Sequence, residues 1–311
     1  MYRWFVRFQN MDRRWIFLGM AIAILLPMLS PSSASFSIDR PVRDIYEKVE
    51  SLPPGSTVYI SADFDPGSRP ELEPFYRAVL HQLFGRDIKV VAGTLWASAP
   101  PLVLPILQEV AESHGKVYGT DWCFLGFKDG KELAIKAIGE NIPKTFPTDF
   151  YQTPIEELPV AAGFKQLKDF NLLILVSAGF PGIKAYVLQV QGQYDLKMVG
   201  ATTAVSGPDY IPYYKAGQLL GLSAGMPGSA QYEKLVFLDA GTCSGFEKTF
   251  LNSESCVRAG HTWVKRPPKV MPERLLGIEA LSVLNLGHLF IVGLIILGNL
   301  AFFVTRPKGV E

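Results

Sequence analysis

Apolar runs and amphipathic segments alternate along most of the chain. The runs at 57–60 and 172–176 are short, apolar and carry β-branched residues, which is typical of buried strands. The segment 68–85 instead places its apolar residues on one face at helical spacing. Several such strand and helix patterns, joined by short connections, predict an α/β fold: an open, mostly parallel, doubly wound sheet over residues 45–238.

Two of the predicted helices begin with capping signals. Ser68 followed by Glu71 matches a capping box, in which each side chain bonds the backbone N–H of the other residue. Thr153, Pro154 and Glu156 repeat the pattern with proline at the first helical position, and predict a further helix.

Two strongly apolar segments flank the predicted sheet. Segment 15–31 follows the arginine-rich N-terminus 1–14 and predicts a transmembrane anchor, or else a signal peptide cleaved near the small residues at 32–34. Segment 277–304 predicts a transmembrane helix, and the basic tail 305–311 follows it. We therefore expect a two-span protein of the cell membrane with both termini in the cytoplasm and an extracytoplasmic α/β domain.

The linker 239–275 lacks periodicity, so we expect it to be irregular. It contains Cys243 and Cys256, and in an exported domain such a pair predicts a disulfide that closes a small loop. The basic run 265–274, just before the second span, favours the opposite orientation. The rule that places basic residues inside is weak for a domain of this length, however.

Polar side chains follow or end three of the predicted strands. In chain order they are Asp63, Asp65, Ser177, Thr202 and Thr203. Ligands of open α/β sheets bind at the carboxyl ends of the strands. These residues therefore predict a ligand-binding cleft at that edge of the sheet.

Asp63 and Asp65 also allow a catalytic interpretation. An Asp-Phe-Asp sequence after an apolar strand is similar to the first motif of haloacid-dehalogenase-type phosphatases, which use a nucleophilic and an acid–base aspartate. Alternation along an extended chain predicts that both carboxylates point to one face. Gly67 departs from the motif, which has Thr or Val there, and no later acidic pair offers ligands for Mg²⁺. The alternative is a turn in which Asp65 bonds its own backbone before Pro66 and Gly67.

Composition and the remaining motifs argue against several classes. The net charge of +1 gives no electrostatic reason to expect a nucleic-acid partner. The cysteine spacing does not fit structural zinc and no dinucleotide fingerprint occurs, so we predict neither a metal nor a cofactor. Ser223 lies in a G-x-S-x-G sequence followed by Asp239 and His261, as a nucleophile elbow requires. A glycine-rich turn is favoured instead, because Ser223 follows the last strong strand.

The second apolar segment carries polar residues. Asn285, His288 and Asn299 fall on one side of a helix. Polar groups in lipid are costly and usually face a protein partner, although Asn285 and His288 alternatively lie at the membrane interface. The row predicts self-association or contact with other membrane-protein subunits.

Several stretches together resemble a known family. They are DRRWIFL, PVRDIYEKVESLPPGSTVYISADFDPGSRPELEP, FPTDFYQTPIEELP, LKDFNLLILVSAGFPGIKAYV, TTAVSGPDYIPYY and LLGLSAGMPGSAQYEKL. In this order they resemble an uncharacterised family of prokaryotic two-span membrane proteins. The resemblance implies a Rossmann-like or flavodoxin-like domain between two spans, and implies no activity.

The sequence thus leads to one functional hypothesis and two alternatives. The first is a non-enzymatic subunit or scaffold of a larger membrane assembly, since no catalytic set is complete. The second is a ligand-binding or sensor domain that uses the cleft at the strand ends. The third is a phosphatase-like hydrolase with Asp63 and Asp65.

Overall fold

A computed structural model describes the chain at residues 2–29, 36–244 and 253–305. The chain divides into two compact units. The α/β unit is Phe36–Gly277, and the helical unit combines Met1–Ser35 with Ile278–Glu311.

The strands of the α/β unit are short. In chain order they are β1 Thr57–Asp63, β2 Lys89–Thr94, β3 Trp122–Phe127, β4 Leu172–Ser177, β5 Met198–Thr202, β6 Leu222–Ala224, β7 Gly241–Cys243 and β8 Trp263–Lys265. The first six form one sheet in the order β3-β2-β1-β4-β5-β6, with parallel neighbours throughout. This is the doubly wound order of Rossmann folds, in which the chain direction across the sheet reverses between the first and fourth strands. The predicted parallel α/β sheet is confirmed.

Helices connect these strands and also form the second unit. They are α1 Tyr2–Gln9, α2 Arg13–Leu29, α3 Arg40–Glu50, α4 Arg69–Gly85, α5 Pro100–Ser113, α6 Lys131–Glu140, α7 Ile142–Thr145, α8 Ile183–Tyr186, α9 Gly192–Tyr194, α10 Gly207–Lys215, α11 Gly225–Glu233, α12 Ser253–Arg258 and α13 Leu276–Thr305. The π-helical turns Val187–Gln191 and Lys234–Leu238 continue α8 and α11.

The helices cover both faces of the large sheet. One face packs on α3, α4, α5 and Lys234–Leu238, and the other packs on α6, α8 and the 3-10 turns between 155 and 169. Because both faces are covered, β4 is buried at every residue, which explains its uninterrupted apolar sequence.

Two local predictions differ from the structure. The helix expected at Thr153 is only a 3-10 turn, Ile155–Glu157. It ends there because Leu158 precedes Pro159 and takes an extended conformation, as residues before proline prefer. Conversely, β6 lies in the segment that we predicted as a glycine-rich turn, because three residues between glycines give too short a pattern to recognise.

The linker 239–275 contains more regular structure than its pattern predicts. β7 and β8 pair in the antiparallel direction, and Cys243 and Cys256 form the predicted disulfide with a Cα–Cα distance of 5.7 Å. Residues 245–252 lie outside the described residues.

The basic run in this linker is bound to the domain through ion pairs. Arg266 Nη2 lies 3.2 Å from Glu50 Oε2, and Lys269 Nζ lies 3.4 Å from Asp87 Oδ2. The run therefore holds the linker against the α/β domain.

In the helical unit, α13 is the one described helix long and apolar enough to cross a membrane. α2 has 17 residues, fewer than the about 20 needed for a span, so the structure does not establish an N-terminal span. Residues 30–31 of the predicted anchor, the cleavage site at 32–34 and the tail 306–311 lie outside the described residues.

α2 packs along α13 in the antiparallel direction. A Cβ built on Gly19 would lie 2.6 Å from Cζ of Phe290, so glycine permits close approach of the two helices here. Near the start of α2, Thr305 Oγ1 donates to Oε1 of Gln9, the last residue of α1, at 3.1 Å. Residue numbers thus rise along α2 as they fall along α13, which brings Gln9 and Thr305 to the same end of this unit.

Candidate functional site

Three of the predicted site residues form a row at the carboxyl edge of the sheet. Asp63 of β1 pairs in register with Ser177 of β4, which pairs with Thr202 of β5. Residues in register on parallel strands point to the same face, so the three side chains are neighbours. All three are at most 1% exposed. The strand ends therefore bring the row together but bury it beneath the covering helices.

Asp63 is the centre of this row. Its Oδ1 accepts hydrogen bonds from Leu95 N at 2.6 Å and Thr94 Oγ1 at 3.0 Å, and its Oδ2 accepts from Ser61 Oγ at 2.7 Å. Burial raises the pKa of Asp63 to about 6, and these three donors limit the rise because they favour the charged form. The carboxyl group thus ties the ends of β1 and β2 together.

The network extends from Asp63 into the helix layer. Tyr186 of α8 donates to Ser61 Oγ at 3.1 Å, and Ser61 donates to Asp63. The sequence analysis missed Ser61, Thr94 and Tyr186. The signal for Ser61 was available, since it precedes Asp63 by two residues and so shares its face of the strand.

Asp65 lies apart from Asp63, in the turn that follows β1. Its Oδ1 accepts from Ser68 N at 2.9 Å and Ser68 Oγ at 2.6 Å, and these bonds lower the pKa of Asp65. Asp65 thus lies in a turn, as the alternative predicts, and its carboxylate bonds backbone three residues on. The prediction that both carboxylates share one face is wrong, because the strand ends at Asp63 and its alternation does not reach Asp65.

The predicted capping box at α4 is also wrong. Ser68 makes no side-chain capping bond, because its hydroxyl donates to Asp65. Glu71 Oε2 instead accepts from Ala204 N at 2.8 Å, and so holds the loop after β5 against α4. Asp65 accepts the Ser68 N–H bond that the capping box assigned to Glu71.

The other hydroxyls of the predicted cleft differ in their partners. Ser177 Oγ donates to Gly179 O at 3.0 Å, and Thr203 Oγ1 donates to Ser206 Oγ at 3.3 Å, so both stabilise their own loops. Thr202 Oγ1 is buried without a hydrogen-bond partner. The row thus has one unsatisfied polar atom beside the Asp63 network.

Ser223, the serine of the G-x-S-x-G sequence, lies on β6, and α11 follows directly. The strand and helix that an elbow needs are therefore both present. Ser223 is 1% exposed and its Oγ lacks a partner. Asp239 forms an ion pair with Lys265 at 3.8 Å, so it already has a partner of its own.

Two adjoining cavities, of about 270 Å³ and 370 Å³, lie between the helices α4 and α5 and the linker 239–275. Both cavities are lined by His81, Phe237 and Val270.

A histidine pair lies at these cavities. His81 Nδ1 lies 3.0 Å from His114 Nε2, and burial lowers the pKa of His81 to about 3 and of His114 to about 4. The charged groups around the first cavity are paired, as Arg86 is with Glu50 at 2.7 Å. Sequence analysis gave no signal for this histidine pair, since His81 lies on α4 and His114 directly follows α5.

Within the described ranges, His, Cys, Asp and Glu side chains nowhere gather in a group of three or more that could hold a metal ion.

The polar row of α13 is a second candidate surface. Asn285, His288 and Asn299 are all exposed. At about 100° per residue, each lies within about 40° of the point opposite Phe290 on the helix. Ala301, which is fully buried, lies on the Phe290 side. The α2 contact and the polar row therefore occupy opposite sides of α13.

Comparison of the chain with protein-family models, curated proteins and solved structures finds no match, so its resemblance to a two-span family stays a hypothesis.

Proposed function

We propose that the chain is a non-enzymatic subunit of a larger membrane assembly, in which α13 anchors the α/β domain and also contacts a partner. The observation that carries this proposal is the exposed polar row on the side of α13 opposite α2. An anchor needs only apolar length, whereas Asn285, His288 and Asn299 add cost without adding length.

The polar row needs hydrogen-bond partners that lipid does not provide. A polar group in hydrocarbon is unfavourable unless another protein group bonds it. α2 does not meet this need, because it contacts the other side of α13. Interhelical polar contacts contribute roughly 0.6–2 kcal/mol each, so they bias assembly while apolar packing against the partner adds to them.

We further propose that α2 is a second span and that both termini lie in the cytoplasm. The antiparallel contact of α2 with α13 supports this arrangement, and so do the arginines in 1–14. α1 suits a membrane surface, because Trp4 stacks on Phe8 with ring centroids 5.6 Å apart while Arg3 and Arg7 lie on another side of the helix.

The same proposal places the α/β domain outside the cytoplasm. The disulfide between Cys243 and Cys256 supports this location, because such bonds persist in oxidising compartments. The basic run before α13 weighs less against it, since Arg266 and Lys269 form ion pairs with the domain.

The test replaces the polar row with apolar residues. We expect the combined variant Asn285→Leu, His288→Leu, Asn299→Leu to insert in normal amounts, because the helix keeps its apolar length. The complex extracted in mild detergent should be smaller than that of the wild type, as measured by size-exclusion chromatography with light scattering.

A matched control changes three exposed apolar residues of the same helix, as Leu289→Ile, Leu300→Ile and Val304→Ile. It should leave the complex at its wild-type size. If the polar-row variant also keeps that size, α13 is an anchor alone and the proposal fails.

A further inference from the structure

We infer that the partner of α13 is a second copy of this chain, and that the two α13 helices form a parallel, two-stranded coiled coil along the polar row. This inference rests on the proposed function, since it names the partner which that function requires.

The polar row belongs to a longer heptad pattern. Asn285, Val292 and Asn299 recur at intervals of seven residues. His288, Ile295 and Phe302 recur at the same interval, offset by three. Together these six residues occupy the a and d positions of a coiled-coil seam that runs from 285 to 302. A seven-residue repeat is the spacing that keeps one stripe facing a partner along a supercoil.

The structure leaves this seam free for a partner. Val292 is 50%, Ile295 57% and Phe302 55% exposed, and the three polar members are exposed as well. Phe290, which contacts Gly19 of α2, occupies the f position, on the side of the helix away from a and d. α2 and a second α13 can therefore bind the same helix at once.

The chemistry of the seam is self-complementary. An asparagine side chain carries both donors and an acceptor, and a neutral histidine carries one of each. In a parallel pair in register, every asparagine or histidine meets its own copy and can bond it. An asparagine at an a position fixes the register of a coiled coil, and β-branched Val292 at another a position suits a parallel pair.

The parallel orientation follows from membrane topology. Copies of one chain insert in the same direction, so their α13 helices run parallel. An unlike partner would need matching polar groups at three depths, whereas a second copy supplies them at the same depths by symmetry. The seam contains no charged residue, so it offers nothing that selects a partner of opposite charge.

Single-cysteine cross-linking in membranes tests the inference on the full chain. Cys123 is fully buried and the other two cysteines are bridged, so an introduced cysteine is the one accessible thiol. Helix axes about 8–10 Å apart, with Cα atoms about 2.3 Å from each axis, bring seam Cα atoms to about 3.4–5.4 Å at closest approach. That separation is within the limit of about 7 Å for a disulfide.

We expect Ile295→Cys and Phe302→Cys to convert from monomer to disulfide-linked dimer with a membrane-permeable oxidant. The matched control is Leu300→Cys, which is 48% exposed but lies off the seam, and it should stay monomeric. Equal dimer formation at all three positions would indicate random collision and overturn the inference. Dimers at 295 without dimers at 302 would indicate crossing or antiparallel helices, and would overturn it too.

The outcome also separates this inference from the proposed function. Absence of dimers in every cysteine variant, combined with a complex that shrinks in the polar-row variant, means that α13 binds a different protein. In that case the second copy is ruled out and the subunit proposal stands. If neither the dimers nor the size change is observed, both are wrong.

Discussion

Two regions of this protein place polar side chains in apolar surroundings, and they satisfy them in different ways. At the carboxyl edge of the sheet, Asp63 is fully enclosed, and neighbouring donors from Ser61, Thr94 and Leu95 bond it. On α13, Asn285 and Asn299 point away from the helix that packs beside them. The first arrangement is complete within one chain, and for the second we propose a partner chain.

The difference shows how buried polarity indicates a role. A polar group that its own fold satisfies contributes to specifying that fold, as Asp63 does by joining two strand ends. A polar group that the fold leaves open, in a place where water is excluded, points to a binding surface. By this criterion the sheet edge, where sequence reasoning expected a ligand, is chiefly structural, and α13 is the stronger candidate for function.

The largest expected change in stability is that of Asp63→Ala. The substitution leaves Ser61, Thr94 and Leu95 N–H without their acceptor in a buried site. We expect a loss of about 2–4 kcal/mol in the free energy of unfolding at pH 5, measured by chemical denaturation of the full chain in detergent.

Asp65→Ala is the matched control for that measurement. It removes a carboxylate two residues away that only caps α4, so a loss of about 1 kcal/mol is expected. Equal losses in the two variants would mean that the Asp63 network does not hold the strand ends together.

The pH dependence of stability gives the next largest effect. The pKa of Asp63 is about 6 in the folded protein, above its usual value of 3.8, so folding favours the protonated form. Its contribution to stability is therefore full below about pH 4 and is lost as the pH rises to about 6, a change of up to about 3 kcal/mol. Asp63→Asn does not titrate and should lack this change.

This prediction is checked by measuring the free energy of unfolding against pH for the wild type and for Asp63→Asn, and taking the difference between the two curves. His81 and His114 have lowered pKa values, so they destabilise the fold as the pH falls below about 6.5, the opposite trend. Subtracting the Asp63→Asn curve from the wild-type curve removes their contribution. A flat difference between pH 4 and 7 would show that the carboxyl group is not buried as described.

The sequence predicts those features of the fold that depend on residues close together in the chain, and it predicts less well those that depend on distant residues. Long apolar strands such as β4 were evident because burial on both faces needs an unbroken apolar run. β6 was not evident, since a three-residue edge strand carries almost no pattern. The separation of Asp63 from Asp65 depends on where β1 ends, which strand alternation alone does not reveal.

The candidate sites also divide into those that local sequence patterns reveal and those that depend on tertiary contacts. The row of Asp63, Ser177 and Thr202 was predictable because parallel strands align their ends. The pairing of His81 with His114 depends on two helices meeting, so no local signal announces it. For α13, the polar row is visible in the sequence, but the position of α2 on the other side is a tertiary fact.

The smallest expected change in stability concerns Thr202, and it tests most directly whether the sheet edge is structural. Its hydroxyl is the one atom of the sheet-edge row that is buried without a partner, so it should cost stability. Valine has nearly the same shape without that hydroxyl. We therefore expect Thr202→Val to raise the free energy of unfolding by about 0.5–1.5 kcal/mol. Thr94→Val is the matched control and should lower the free energy of unfolding, because Thr94 donates to Asp63 and accepts from Trp96 N.

A ligand-binding edge predicts the reverse for Thr202. Protein purified with a small molecule bonded to this hydroxyl would lose stability in the valine variant. Stabilisation would show that the sheet edge is structural.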